Sequence, residues 1–392
     1  MRDRSRLVFR PEYADYNFGP QHPLRPERFG AGLELFEAAG LGPQPDEWLA
    51  PPPATPAELG LVHTSEYLDA VQRLSDHAHD PLAGADGHRW GLGPGDTPAF
   101  PGMHAATAAV VGGTLHAVLG VLDGAFDHAF NPAGGLHHAF ADRASGFCVY
   151  DDPAVAIAAA VQRGARVLYV DVDAHHGDGV QAIFYEDPRV LTLSIHETGH
   201  HLFPGTGFVE ELGSGPGLGY SLNLPMEPYT EDASWLDSLQ LVLDAVAERF
   251  QPDLIVSQHG CDPHTWDPLT HLRLSTRAFA AESRLIHELA HRLAQGRWVA
   301  LGGGGYDWIR VVPRNWAILW AEMTGQELPE TIPRDWSARW ATTASRYHLS
   351  PLPERFLDDP HAWPPFLRRI EIERLNRDTA SRVRRAALTG GD

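Results

Sequence analysis

The chain has 392 residues, 43% of them hydrophobic, so it can bury a large core as one big α/β domain or two ordinary ones. A net charge of −20 argues against a broad nucleic-acid surface or an anionic-membrane surface. The two cysteines, Cys148 and Cys261, exclude a disulfide framework and fit a reducing compartment, hence a cytoplasmic protein.

From the N-terminus, residues 1–10 hold no long apolar run, so no signal peptide is expected. No stretch is read as reaching the roughly 18 apolar residues of a membrane helix. All 31 basic residues are Arg and none is Lys, as a codon bias toward Arg would produce. Residues 51–56 read as a turn, and 84–101 and 213–219 as long Gly/Pro loops of the kind that often carry function. Apolar, β-rich runs at 125–131, 166–172, 190–196, 220–224, 254–258 and 298–301 read as strands. Between them lie helical patterns. In the one over 153–163, Asp152 can cap, Pro153 takes the first helical position and Gly164 ends the helix. Residues 366–392 are charged and Arg-rich with helical spacing, a peripheral helix or tail. Strands alternating with helices predict an α/β fold with a mainly parallel sheet and helices on both faces.

In such a sheet the loops after the strands share one edge and form the site. The sharpest signal is at 166–172, where an apolar strand runs into Asp171-Val172-Asp173-Ala174-His175-His176-Gly177-Asp178. Buried Asp and His at a strand terminus are costly unless something binds them. Side-chain alternation leans Asp171, Asp173 and His175 to one face. The other strand ends add Gly134-Gly135-Leu136-His137-His138, then His196 and Phe203-Pro204-Gly205-Thr206-Gly207, then His259-Gly260-Cys261-Asp262, and finally Gly302-Gly303-Gly304-Gly305-Tyr306.

Chemical need assigns the roles. A catalytic metal takes about three protein ligands and leaves a position for water, and Asp173, His175 and Asp262 supply them. His137 and His138 suit proton transfer, with Asp171 and Asp178 to fix their tautomers. The Tyr306 phenol can face a developing oxyanion, and the glycine run lets substrate approach closely. No Lys-Ser/Thr follows residues 302–305, so the Walker reading fails. Cys261 reads as a buried bystander. His22, His63, His104, His264 and His271 read as structural or surface residues.

These segments, with Ala144-Ser145-Gly146-Phe147-Cys148 and the early His22-Pro23-Leu24-Arg25-Pro26-Glu27-Arg28, resemble the zinc-dependent histone deacetylase family over roughly residues 7–325. The likeness is strongest to its class I-like bacterial acetoin-utilisation branch. It implies a single-domain arginase/deacetylase-like fold, a catalytic domain over 1–325 and a C-terminal extension over 326–392. It implies hydrolysis of Nε-acetyl-lysine in proteins, with acyl-CoA synthetases as suggested partners and a role in acetoin or acetate metabolism. Asp173, His175 and Asp262 would hold Zn2+, with Fe2+ also suited to this donor set. His137 would pair with Asp171 and His138 with Asp178, His138 serving as general base. Gly146, Phe147 and Phe203 would line an apolar tunnel with Gly304 at the substrate path, and Asp96 would hold substrate backbone at the rim. Asp171, Asp173, His175 and Ser194 would surround one potassium ion, and Phe184, Asp187, Val190 and Tyr220 a second. The pattern departs at Asp151, where the family usually has Asn, which would add charge near the site. The rim loop around Asp96 lacks the Tyr of the animal enzymes.

Two related chemistries share these features. A dimanganese ureohydrolase needs a further bridging carboxylate, and Gly177 stands where it would fall. An acetylpolyamine amidohydrolase would use the same machinery on a smaller amine. A non-enzymatic acetyl-lysine reader would not need the His pair and Tyr306.

Overall fold

The computed structural model describes residues 4–78 and 87–389, so the first three residues of the expected 84–101 loop lie outside the described residues. Eight strands form one parallel sheet: β1 (Ser5–Val8), β2 (Trp48–Leu49), β3 (His128–Asn131), β4 (Val167–Asp171), β5 (Val190–Glu197), β6 (Ser221–Met226), β7 (Leu254–Gln258) and β8 (Trp298–Leu301). Their order across the sheet is β2-β1-β3-β8-β7-β4-β5-β6. All six expected strands are present, with ends shifted by at most a few residues. The edge pair β1 and β2 was not expected, because Ser5 and Arg6 interrupt the apolar character of β1 and β2 is only two residues long.

Alternate strand residues feed two cores. In β4, Leu168 and Val170 enter one hydrophobic cluster, and Val167 and Tyr169 enter the other. Strands buried on both faces read as continuous apolar runs, as seen in sequence. The Met103–Leu122 and Asp152–Gln162 helices cover the smaller core, and the Asp232–Phe250, Thr276–Leu293 and Val312–Thr324 helices cover the larger.

Two local expectations are corrected. By length and composition Met103–Leu122 is apolar enough to cross a membrane, so the reading that no stretch qualifies fails there; 72% of its most apolar window is buried inside the fold. The Asp152–Gln162 helix is capped by Asp151, whose Oδ1 accepts from the Ala154 N–H at 2.7 Å, and not by Asp152. Asp152 instead turns back, and its carboxylate takes the N–H groups of Gly135 and Leu136.

The chain beyond residue 325 packs on the same core. The Arg369–Thr389 helix sets Ala380, Val383 and Ala387 into the larger cluster. Its Asn376 donates to Thr230 and Ser234 and accepts from the Glu227 N–H.

Candidate metal centre and active site

The chemistry-bearing loops follow β3, β8, β7 and β4, which are four neighbours at the centre of the sheet. Asp173, His175 and Asp262 therefore meet, with one donor atom from each within 4.8 Å of the others. His175 Nδ1 lies 3.0 Å from Asp173 Oδ1 and 3.0 Å from Asp262 Oδ2. All three are buried. Burial opposes charge on each, yet the two carboxylates hold the His175 imidazole well above its usual range. Asp173 stays ionised despite burial because His137 and His175 face it, whereas burial and Asp173 push Asp262 up to about 6. Two buried carboxylates thus depend on one proton on His175 for neutralisation. A divalent cation would replace that proton and meet all three donors, so the residues fit Zn2+ or Fe2+.

The cradle is tight. A side chain at Gly260 would run into Asp173, and one at Gly304 into Asp262. Asp173 Oδ2 also accepts from the Gly304 N–H at 2.9 Å and from Gln258 Nε2 at 2.7 Å. The Gly304 carbonyl accepts from the Cys261 N–H. Gly304, expected on the substrate path, therefore spends both backbone groups on the ligand-bearing loops.

Beside this triad stand the two histidines. His137 Nδ1 is 2.7 Å from Asp171 Oδ2, and His138 Nδ1 is 2.7 Å from Asp178 Oδ1. The two Nε2 atoms are 3.1 Å apart, so the pair cannot hold two extra protons. Burial alone would lower both rings. At His137 the charges of Asp171 and Asp173 outweigh it and raise the ring to about 9. At His138 burial and the neighbouring His137 push the ring down to about 4. The extra proton sits on His137, and His138 stays neutral with a lone pair on Nε2.

Tyr306 stands across the triad, its ring centroid 6.2 Å from that of His175. Burial, then Asp262 and Asp173, hold its phenol well above the usual range, so it remains a neutral donor. The Tyr306 N–H donates to Asp267 Oδ2 at 2.8 Å, which fixes its backbone. The approach is apolar. Phe203, 41% exposed, packs on His138 at 5.0 Å, and Phe147 packs on Tyr306 at 5.8 Å between centroids. Gly146 and Phe147 both have left-handed backbone, φ +50° and +67°, and a side chain at Gly146 would collide with His138 and Phe203.

The exposed Asp96 lies at the outer end of this path, where its carbonyl accepts from the His22 ring at 3.1 Å. His22, read as merely structural, packs on Phe147 at 4.4 Å between centroids. The expected potassium residues fall in two places. Asp171 and Ser194 are paired across β4 and β5, while Phe184, Asp187, Val190 and Tyr220 gather about the start of β5.

Asp151 does not add charge. It is fully buried, its Oδ2 has no hydrogen-bond partner among the described residues, and burial pushes its carboxyl well above the usual range, so it is protonated. Cys261 is a bystander whose buried thiol is raised and accepts from Asn315.

Three contributors escaped sequence reasoning. Gln258 aims Asp173, and as a buried polar residue ending an apolar strand it carried the same signal as Asp173 itself. Asp152 anchors the glycine turn before His137. Tyr16 donates to the Phe147 carbonyl at 2.6 Å and accepts from the Val149 N–H, clamping the tunnel turn from 131 residues away. Nothing local marks it.

Residues 22–323 match the histone deacetylase domain. An acetoin utilization protein AcuC of Bacillus subtilis (strain 168) is 45% identical over 98% of this chain and 97% of its own length. The AcuC protein of Staphylococcus xylosus is 37% identical over 98% of both chains. Among solved structures, a deacetylase homologue in complex with SAHA superposes with a TM-score of 0.84 at 31% identity, covering 97% of this chain and all of that one. A homologue from Aquifex aeolicus gives 0.83 at the same identity and coverage.

Proposed function

This chain belongs to the histone deacetylase family, and from that premise we propose that it is a zinc-dependent amidohydrolase that deacetylates Nε-acetyl-lysine in proteins. The observation that carries the reading is the convergence of three elements on one point: the Asp173–His175–Asp262 triad, the neutral His138 imidazole and the neutral Tyr306 phenol. Asp173, His175 and Asp262 would hold Zn2+ or Fe2+, which when bound polarises an amide carbonyl and acidifies a water.

The rest of the work falls to the chain. His138 accepts a proton from the attacking water at Nε2, while Asp178 holds its Nδ1–H and stabilises the imidazolium that forms. His137, already charged and paired with Asp171, supplies positive potential to the tetrahedral oxyanion and keeps His138 unprotonated until the water gives up its proton. The Tyr306 O–H donates to the carbonyl oxygen as it gains charge. The departing amine takes its proton from the imidazole pair. Phe147, Phe203 and Gly146 give apolar walls to the four methylenes of a lysine stem, and the Asp96 carboxylate would accept from substrate backbone N–H groups. Acetylation makes the stem neutral, which suits those walls. Asp171, Asp173, His175 and Ser194 would hold one K+, and Phe184, Asp187, Val190 and Tyr220 another. The shared name of the relatives, acetoin utilization protein, supports a role in acetoin or acetate metabolism; an acyl-CoA synthetase as acetylated partner and a cytoplasmic setting are part of the same proposal.

The test is acetate release from an acetyl-lysine peptide before chelation, after chelation and after zinc re-addition. Activity that disappears and returns with metal is expected. Release from acetylpolyamines but not from peptides would replace the protein substrate with a small amine, and no release from either would overturn the reading.

A further inference from the structure

A second group of imidazoles lies at the opposite edge of the sheet from the catalytic loops. His128 is the first residue of β3, in register with Trp298, the first of β8. His287 and His291 sit one turn apart near the C-terminal end of the Thr276–Leu293 helix. Their ring nitrogens converge: His287 Nε2 is 3.2 Å from His128 Nε2 and 3.1 Å from His291 Nε2. Two imidazole nitrogens on one tetrahedral ion at a bond length of 2.0–2.1 Å stand about 3.3 Å apart.

The tautomer is set from outside. Glu322, on the Val312–Thr324 helix, lies 3.1 Å from His287 Nδ1 and accepts a hydrogen bond from the N–H there. The His287 Nε2 lone pair then faces two further ring nitrogens. One lone pair cannot serve two N–H donors well, whereas a cation accepts a lone pair from each of the three rings. A carboxylate behind a ligating imidazole is the arrangement that orients metal-bound histidine. The C-terminal turns of a helix also favour positive charge. His128 is fully buried, His287 half-buried and His291 exposed, so the cluster runs from the core to the protein surface. The Trp298 ring stacks on His287 at 5.2 Å and closes the inner side. Imidazole nitrogen donors favour late divalent transition metals over Mg2+ or Ca2+.

We propose that His128, His287 and His291 bind a second divalent transition-metal ion, Zn2+ where zinc is the available metal, distinct from the catalytic one. Its role is to tie the end of the Thr276–Leu293 helix to β3 and, through Glu322, to the Val312–Thr324 helix.

The experiment counts zinc per chain by elemental mass spectrometry, after dialysis against a chelator that buffers free Zn2+ in the nanomolar range. Wild-type protein should hold two ions per chain. His291→Gln, altered at an exposed position that spares the fold, should hold one and lose the zinc-dependent rise in melting temperature contributed by this site. Asp262→Ala should also hold one, by losing the catalytic ion. A single ion in wild type that persists in His291→Gln, with an unchanged thermal response to zinc, would overturn the proposal. A single ion lost in His291→Gln but kept in Asp262→Ala would sustain this site and remove Asp262 from the catalytic ligand set.

Discussion

In the proposed reaction Tyr306 and Asp262 divide the labour at the centre, and each can be removed without removing the other. Tyr306→Phe deletes one hydroxyl whose donated bond matters only as the carbonyl oxygen gains charge. Turnover should fall by roughly two to three orders of magnitude with KM little changed, as for loss of an oxyanion donor. A near-normal kcat would remove Tyr306 from this role. Asp262→Ala removes one of three donors and frees the Ala174 N–H that its Oδ1 accepts at 2.8 Å. Loss of the catalytic ion is expected, measured by metal analysis. At this scale much was legible: an apolar run ending in Asp or His announces a binding site because burial without a partner is too costly. Asp151 was misread for the same physical reason. It has the composition of a charged residue, but burial protonates it, and sequence does not show burial.

Two short elements make testable demands of their own. The turn carrying Gly146 and Phe147 is tied by the antiparallel bridge of Ser145 and Cys148. Gly146→Ala would strain a left-handed backbone by about 1–2 kcal/mol and drive a methyl into His138. A fall in kcat/KM on the order of tenfold or more is expected, with the melting temperature only slightly lowered. Unaltered kinetics would show that this turn does not position His138. His63 fastens the segment before the Asp152–Gln162 helix. Its Nδ1 meets the Phe140 carbonyl at 3.1 Å, and its Nε2 accepts from the Asp151 N–H at 3.0 Å. Burial pushes His63 down to about 4. Its folded pKa is below its unfolded one, so the unfolded chain binds the extra proton. The stability His63 gives is therefore full above pH 6.5 and drains away as pH falls toward 4, by on the order of 2–3 kcal/mol. The melting temperature should fall over that range in wild type and fall less steeply in His63→Gln. Equal slopes would refute the assignment. The strands were readable because apolar runs of four to seven residues stand out, whereas the cap shifted by one residue because Asp151 and Asp152 are chemically alike and differ only in what each can reach.

For the whole molecule, the Arg369–Thr389 helix is part of the core although its surface is charged and Arg-rich. Removing residues after 368 would strip Asn376 from the Glu227 N–H and uncover the side of the Asp232–Phe250 helix that Ala380 and Val383 cover. A melting temperature lowered by several degrees and reduced solubility are expected. A truncated chain that melts like wild type would make the helix an appendage. The sequence by itself determined the class of fold, the strands whose ends carry the clustered polar residues and nearly all the residues that the fold brings together at the candidate centre, because each of these is written in local patterns of apolar runs, glycines and clustered Asp and His. Only the tertiary structure decided that β3, β8, β7 and β4 lie side by side, that Gln258 aims Asp173 and Asp152 anchors the turn before His137, that Tyr16 clamps the turn at Phe147, and that His128 meets His287 and His291. The reason is physical: strand order and hydrogen bonds between separate elements depend on how the elements pack, and residues that meet only through packing leave no mark on one another's local sequence.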